Sequence, residues 1–142
     1  MTHRRGDVTM AVEKLVARWA AKDTAGLSRL FADGVRWWTA PVPGAPWPAE
    51  ARNPREVESF FLAFRAVLEL TAITTRGLVV DGPDAVLTGR LHARVQTTGL
   101  TLAYDFAIAV SVHGGLVTEF RMYADTLAIA RALAPDVPPV SP

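Results

Sequence analysis

The carboxylate of Asp125 stands at the end of the run Phe120-Arg121-Met122-Tyr123-Ala124-Asp125, just before an Ala/Leu-rich stretch from Leu127 to Leu133. A carboxylate at the rim of an apolar core tends to have a displaced pKa, the condition that general acid/base chemistry exploits. A second candidate segment is Arg90-Leu91-His92-Ala93-Arg94-Val95. Strand alternation puts Arg90, His92 and Arg94 on one face and Leu91, Ala93 and Val95 on the other. Which of the two faces lines a pocket decides whether the first trio is chemistry or solvated surface. Histidine titrates near neutrality and a carboxylate can orient it or share its proton, so a His92 and Asp125 pair would suit proton abstraction or relay. Arg90 would then neutralise Asp125 or stabilise an enolate oxygen, although a plain salt bridge would use the same side chain.

The same alternation groups Tyr104, Phe106, Ile108 and Val110 against Asp105, Ala107, Ala109 and Ser111. Tyr104 is therefore a candidate pocket hydroxyl beside Phe106, and Asp105 is expected to face outward or into a dimer contact. Trp37, Trp38 and Trp47 cluster around a proline-rich loop, Pro41 to Arg52, which could act as a lid, and Trp19 lies on a core helix. With Tyr123, these flat rings suit a polyene, aromatic or polyketide ligand, and ordinary core packing is the competing explanation. There is no His/Asp/Glu cluster with metal spacing, no glycine-rich phosphate loop and no nucleophile elbow. A metal-free, cofactor-free site is expected.

The elements that must position these residues are set by periodicity. Val12, Leu15, Val16 and Trp19 recur at helical spacing, so about Thr9 to Lys22 is read as an amphipathic helix. Asp23 can cap a second helix carrying Leu27, Leu30 and Phe31, with Gly34 at its left-handed C-cap. Val35 to Ala40 is a strand candidate stopped by Pro41, Pro43, Pro46 and Pro48. Asn53-Pro54-Arg55-Glu56 opens a helix with Val57, Phe60, Phe61, Phe64 and Leu68 inward. Beyond Glu69 the period becomes two, giving consecutive antiparallel strands over Leu70 to Val80, Ala85 to Gln96, Leu100 to Val112 and Leu116 to Ala124. Asp125 or Thr126 can cap a closing helix. Residues 1–7 and 135–142 are expected to be flexible tails.

The 142 residues fit one domain, 1–142, and half of them are apolar. Fifteen Lys+Arg against fourteen Asp+Glu leave a charge of +1, which disfavours nucleic acid and anionic membrane surfaces as partners. The absence of cysteine excludes disulfides and thiolate chemistry. No apolar run approaches a membrane span and no signal-peptide pattern opens the chain, so a cytoplasmic protein is expected.

The order helix, helix, strand, helix and four long strands resembles the nuclear transport factor 2-like superfamily, which includes ketosteroid isomerases, limonene epoxide hydrolases and SnoaL-like polyketide cyclases. Lys22 to Asp33 and Gly115 to Asp125 carry the resemblance, which spans about Val8 to Leu133. It implies an α+β, cone-shaped fold: a strongly bent antiparallel sheet wrapped around the N-terminal helices, enclosing a mostly apolar pocket, with the convex face used for homodimerisation. It also implies that Arg90 and His92 face that pocket, since the epoxide hydrolase pattern carries Arg-x-Asp there, completed by an aspartate at Asp125. In this chain the middle carboxylate is His92, and the tyrosine and asparagine that hold the hydrolytic water fall near Trp37 and Thr39. The ketosteroid isomerase base would fall near Trp37 to Thr39, where there is no carboxylate, and its acidic oxyanion donor near Ile108. The expectation is a cofactor-independent cyclase or isomerase acting on a hydrophobic, polyketide-like intermediate, by acid/base catalysis or by templating in the cavity. Epoxide hydrolysis and non-catalytic ligand binding are the alternatives.

Overall fold

In a computed structural model, residues 5–134 are described; residues 1–4 and 135–142, with His3 and the proline-containing tail, lie outside them. Helix α1 (Arg5–Ala20) buries Val8, Ala11, Val12, Leu15 and Trp19 along one stripe, and it starts inside the segment expected to be a tail. Lys22 takes a left-handed φ of 60° in the turn after α1. Asp23 then caps α2 (Thr24–Ser28), accepting a 2.9 Å hydrogen bond from the Gly26 amide.

The second helix is shorter than its sequence suggests, and Gly34 is not its C-cap. Strand β1 (Phe31–Thr39) begins at Phe31, which pairs with Val117, and Leu30 O accepts from Val117 N at 2.7 Å. Joining the sheet satisfies backbone groups that a helix end would leave open, so tertiary pairing overrides the local helical signal. Gly34, with φ 75°, instead lies where the β1 register shifts between Phe31 and Arg36.

Asn53 caps α3 (Pro54–Val67) through a 2.9 Å bond from Glu56 N, and Val57, Phe60, Phe61 and Phe64 are buried along its apolar stripe. Strands β2 (Leu68–Asp81), β3 (Asp84–Val95), β4 (Thr101–His113) and β5 (Leu116–Ala124) come next, then α4 (Thr126–Leu133). The sheet order is β1-β5-β4-β3-β2. The last four strands pair antiparallel, as expected, while β1 adds to β5 in parallel, so the sheet is mixed.

Curvature comes from irregularities at defined places. Register shifts between Leu70 and Ala72 and between Thr75 and Gly77 bend β2 against β3. At Gly89 the bend leaves no room for a side chain: a Cβ there would lie 2.3 Å from Thr74 O and 2.9 Å from the Phe106 ring. The inner face of the curled sheet, including Leu91, Tyr104, Phe106, Ile108, Phe120 and Met122, meets the helices in one core. Gly89→Ala must displace the Thr74 backbone, and overpacking of this kind costs about 1–3 kcal/mol. Urea unfolding should show that loss as a lower midpoint; an unchanged midpoint would mean that the bend is not tight at this position.

Candidate functional site

Five elements and one loop enclose an inner cavity on the inner face of the curled sheet. β1 contributes Thr39, β4 Tyr104, β5 Met122 and Ala124, α3 Phe64 and α4 Ile129, while Ala40, Val42 and Trp47 come from the loop between β1 and α3. The space open to water centres is about 20 Å³, room for roughly one water molecule. Every lining side chain except Thr39, Trp47 and Tyr104 is wholly apolar, and none is an acid, a histidine or a lysine. The cavity roof is held lightly. The proline-rich loop is tied by Ala40 N to Met122 O at one end and by Gly34 N to Arg52 O at the other, with Ala45 N to Val42 O between them. Trp47 hangs from this loop against Phe64, with ring centroids 4.9 Å apart.

Tyr104 is the polar centre of the cavity. The residue is 2% exposed, and its side chain forms no hydrogen bond with another described residue. Burial pushes its pKa well above the ordinary phenol value, because the phenolate would lose its hydration. Its hydroxyl is therefore a neutral donor throughout the working pH range. Beneath the cavity lies an aromatic cluster in which Trp37 stacks on Phe120 at 4.6 Å and meets Phe60 edge-on at 4.9 Å. Trp37 Nε1 is buried and has no hydrogen-bond partner among the described residues.

None of the three residues expected to form an acid/base trio lines this cavity. Leu91, Ala93 and Val95 are buried, so the pleat puts Arg90, His92 and Arg94 on the outer face of the sheet. There Arg90 Nη1 binds Asp105 Oδ1 at 2.9 Å, and Asp105 also meets Arg76 at 3.5 Å. Asp105 thus faces outward as expected. Asp125 is exposed and caps α4, its Oδ1 accepting from Ala128 N at 3.1 Å. No hydrogen bond or ion pair joins Arg90, His92 and Asp125 to one another. Alternation separates the two faces as expected, and the face carrying Arg90 and His92 is the outer one in this structure, whereas the resemblance implied that it lines the pocket.

The expected binding residues divide similarly. Tyr104 lines the cavity. Trp38 and Tyr123 instead form an outer cluster with Arg121, whose guanidinium lies 4.8 Å from the Trp38 ring centroid and whose Nε donates to Tyr123 Oη at 2.9 Å. Phe106 is buried beneath Gly89, Trp37 belongs to the aromatic cluster, and Trp19 packs edge-on against Phe61 between the helices. Phe64, Met122 and Ile129 were not singled out from sequence as cavity residues, because their helix and strand periodicity marks them only as core. Among the described residues no group of three or more His, Cys, Asp or Glu could hold a metal ion, and no helix is long and apolar enough to cross a membrane.

Comparison with known structures places this architecture. A nuclear transport factor 2-like protein from Burkholderia xenovorans is 26% identical, covers 94% of this chain and 98% of its own, and superposes with a TM-score of 0.75. One from Burkholderia pseudomallei, 16% identical, reaches 0.82 over 90% of this chain and 98% of its own. TerC, a protein co-crystallised with polyporic acid, is 17% identical and reaches 0.79 over 89% of this chain and 98% of its own. No curated protein matches the sequence significantly. Residues 12–120 match the SnoaL-like domain, and with its curled sheet and covering helices the chain belongs to that family, within the nuclear transport factor 2-like superfamily.

Proposed function

We propose that this protein is a cofactor-independent isomerase or cyclase for a hydrophobic, carbonyl-bearing small molecule, working by confinement in the inner cavity and by one hydrogen bond from Tyr104. The observation that carries this reading is Tyr104, a buried residue that lines an otherwise almost wholly apolar cavity and whose side chain makes no hydrogen bond with another described residue. A ligand acceptor arriving in the cavity would give this hydroxyl a hydrogen-bond partner in apolar surroundings, where such a bond is strongest. A neutral phenol can polarise a carbonyl and stabilise developing negative charge on its oxygen, while apolar walls hold a flexible chain in a reactive conformation. TerC, with its co-crystallised polyporic acid, supports a small-molecule role for this architecture. The cavity is too small as it stands, so binding requires Trp47 and its loop to move outward, a motion opposed by few backbone hydrogen bonds.

Acid/base catalysis by Asp125 and His92 is no part of this proposal, since neither lines the cavity. The absence of any carboxylate or imidazole from its walls favours a second reading, ligand binding without turnover. Conversion of a bound ketone or polyene, measured by chromatography, separates the two.

The binding step common to both is tested with 2-acetylnaphthalene and naphthalene. A neutral hydrogen bond of about 0.5–1.5 kcal/mol corresponds to a preference for the ketone of roughly two- to tenfold. Tyr104→Phe should remove the preference, and Asp125→Asn, which retains a capping side chain, should leave it intact. Loss of binding in Asp125→Asn with the fold preserved would refute the assignment.

A second copy of the chain across the outer sheet face remains the proposed protein partner. Ala103, Ala107 and Ala109 give that face close-packing room, and Val79, Val86 and Tyr123 are 69%, 42% and 42% exposed upon it. Sedimentation should give twice the chain mass for the native protein and a monomer for Ala107→Glu; a native monomer at micromolar concentration would exclude this interface.

A further inference from the structure

A second cavity opens between α1, α2, α3 and β2, on the other side of Phe64. Its floor is apolar, formed by Trp19, Leu27, Phe61, Leu68 and Leu70, and its rim carries Arg18, Lys22 and Arg65. The space open to water centres is again about 20 Å³. Phe64 lines both this cavity and the one containing Tyr104. Its ring centroid lies 5.9 Å from Trp19 on one side and 4.9 Å from Trp47 on the other, so a row of three aromatic rings runs from one cavity to the other. Phe64 is the residue common to both linings.

The rim has more positive charge than its acids neutralise. Glu69 is shared by two cations, meeting Lys22 Nζ at 3.3 Å and also binding Arg94. Those cations hold its carboxyl below the usual carboxylate range, with the Arg94 hydrogen bond the larger cause. Arg18 and Arg65 have no acidic partner among the described residues. Each donates instead to a backbone carbonyl, Arg18 Nη1 to Gly26 O at 2.8 Å and Arg65 Nη1 to Lys22 O at 3.1 Å. These contacts orient the guanidiniums and leave further N–H donors for an anion. In a chain of net charge +1, two unneutralised guanidiniums beside a lysine at the mouth of an apolar crevice form a local positive site.

We propose that the two cavities are halves of one ligand tunnel closed by the Phe64 ring, and that its helical mouth takes the carboxylate of an amphiphilic acid whose apolar body passes Phe64 toward Tyr104. The proposal rests on the inner cavity being the ligand site, and it adds the direction of entry and the charge of the ligand. The occupant must be narrow and singly charged at one end. Carboxylate geometry matches the forked donors of Arg18 and Arg65, while the aromatic row offers only apolar contact to the body of the ligand. Turning Phe64 about its side-chain bonds is the step that joins the two cavities, and outward movement of the Trp47 loop then makes room for the body of the ligand.

The test compares decanoate with decanol by isothermal titration calorimetry, using the intact chain. The two probes share an apolar body and differ in charge, so their affinity ratio reads the mouth and the decanol affinity reads the cavity. Decanoate should bind about tenfold more tightly than decanol, the size expected of two or three solvent-edged ion pairs acting together. Arg18→Gln with Arg65→Gln should abolish the ratio and leave decanol binding unchanged. Arg65→Gln alone, at an exposed position, should reduce the ratio and serves if the double variant does not fold. Phe64→Leu should strengthen binding of both probes by a similar factor, since it removes the wall and not the charge. Decanol binding with no preference for decanoate, or a preference that survives the arginine substitutions, would overturn the tunnel mouth while leaving the inner cavity as the ligand site. Failure of both probes to bind would overturn both.

Discussion

The packing of α3 on the inner face of the sheet is the constraint on which the rest of the structure depends. Phe60, Phe61 and Phe64 are at most 3% exposed, and they meet Trp37, Trp19 and Trp47 with ring centroids between 4.9 and 6.4 Å apart. Burying rings of this size contributes about 1.5–3 kcal/mol each relative to exposure, so no competing arrangement of the sheet can leave that surface wet. Once α3 covers one face, period-two alternation determines every strand: Leu91 and Tyr104 go inward, and Arg90, His92 and Asp105 go outward. The chemistry available at the wall of the inner cavity is thereby reduced to a phenol, a threonine hydroxyl, a thioether and aromatic rings.

That reduction separates two surfaces with different physics. The outer face is a network of exposed pairs, Arg90 with Asp105, Arg76 with Asp105 and Arg36 with Glu119, each partly solvated and each worth little on its own. The interior has no charge to move, and its polar groups are valuable because so few exist. The indole N–H of Trp37 is the kind of buried donor that a folded chain keeps at a cost, and the hydroxyl of Tyr104 is the polar group that the inner cavity offers to a ligand.

Much of the architecture was legible in the sequence, because the signals were local and mutually consistent. The Asn53-Pro54 start of α3, the four long strands and the inward set of Tyr104, Phe106, Ile108 and Val110 all come from capping chemistry and alternation. The start of β1 did not, because Leu30 and Phe31 fit a helical stripe as well as a strand edge, and only pairing with Val117 distinguishes them. The site was harder. Alternation shows that Arg90 and Leu91 oppose each other but not which is inside, and a charged trio attracts a catalytic interpretation even where, as here, its strand face lies opposite the aromatic helix. Asp125 illustrates the same ambiguity, since a carboxylate before a helix serves as a cap by default and here accepts from Ala128 N. Phe64 carried no signal beyond core periodicity, yet it is the residue shared by both cavities.

The central claim is that ligand chemistry belongs to the inner face and Tyr104, not to the charged outer face. A crystal structure of the protein soaked with an aryl ketone tests it most directly. The account predicts the ring between Trp47 and Phe64, with the carbonyl oxygen within hydrogen-bond distance of Tyr104 Oη and the proline-rich loop displaced outward. Density for the ketone beside Arg90 and His92 on the outer face, with the inner cavity unchanged, would contradict it.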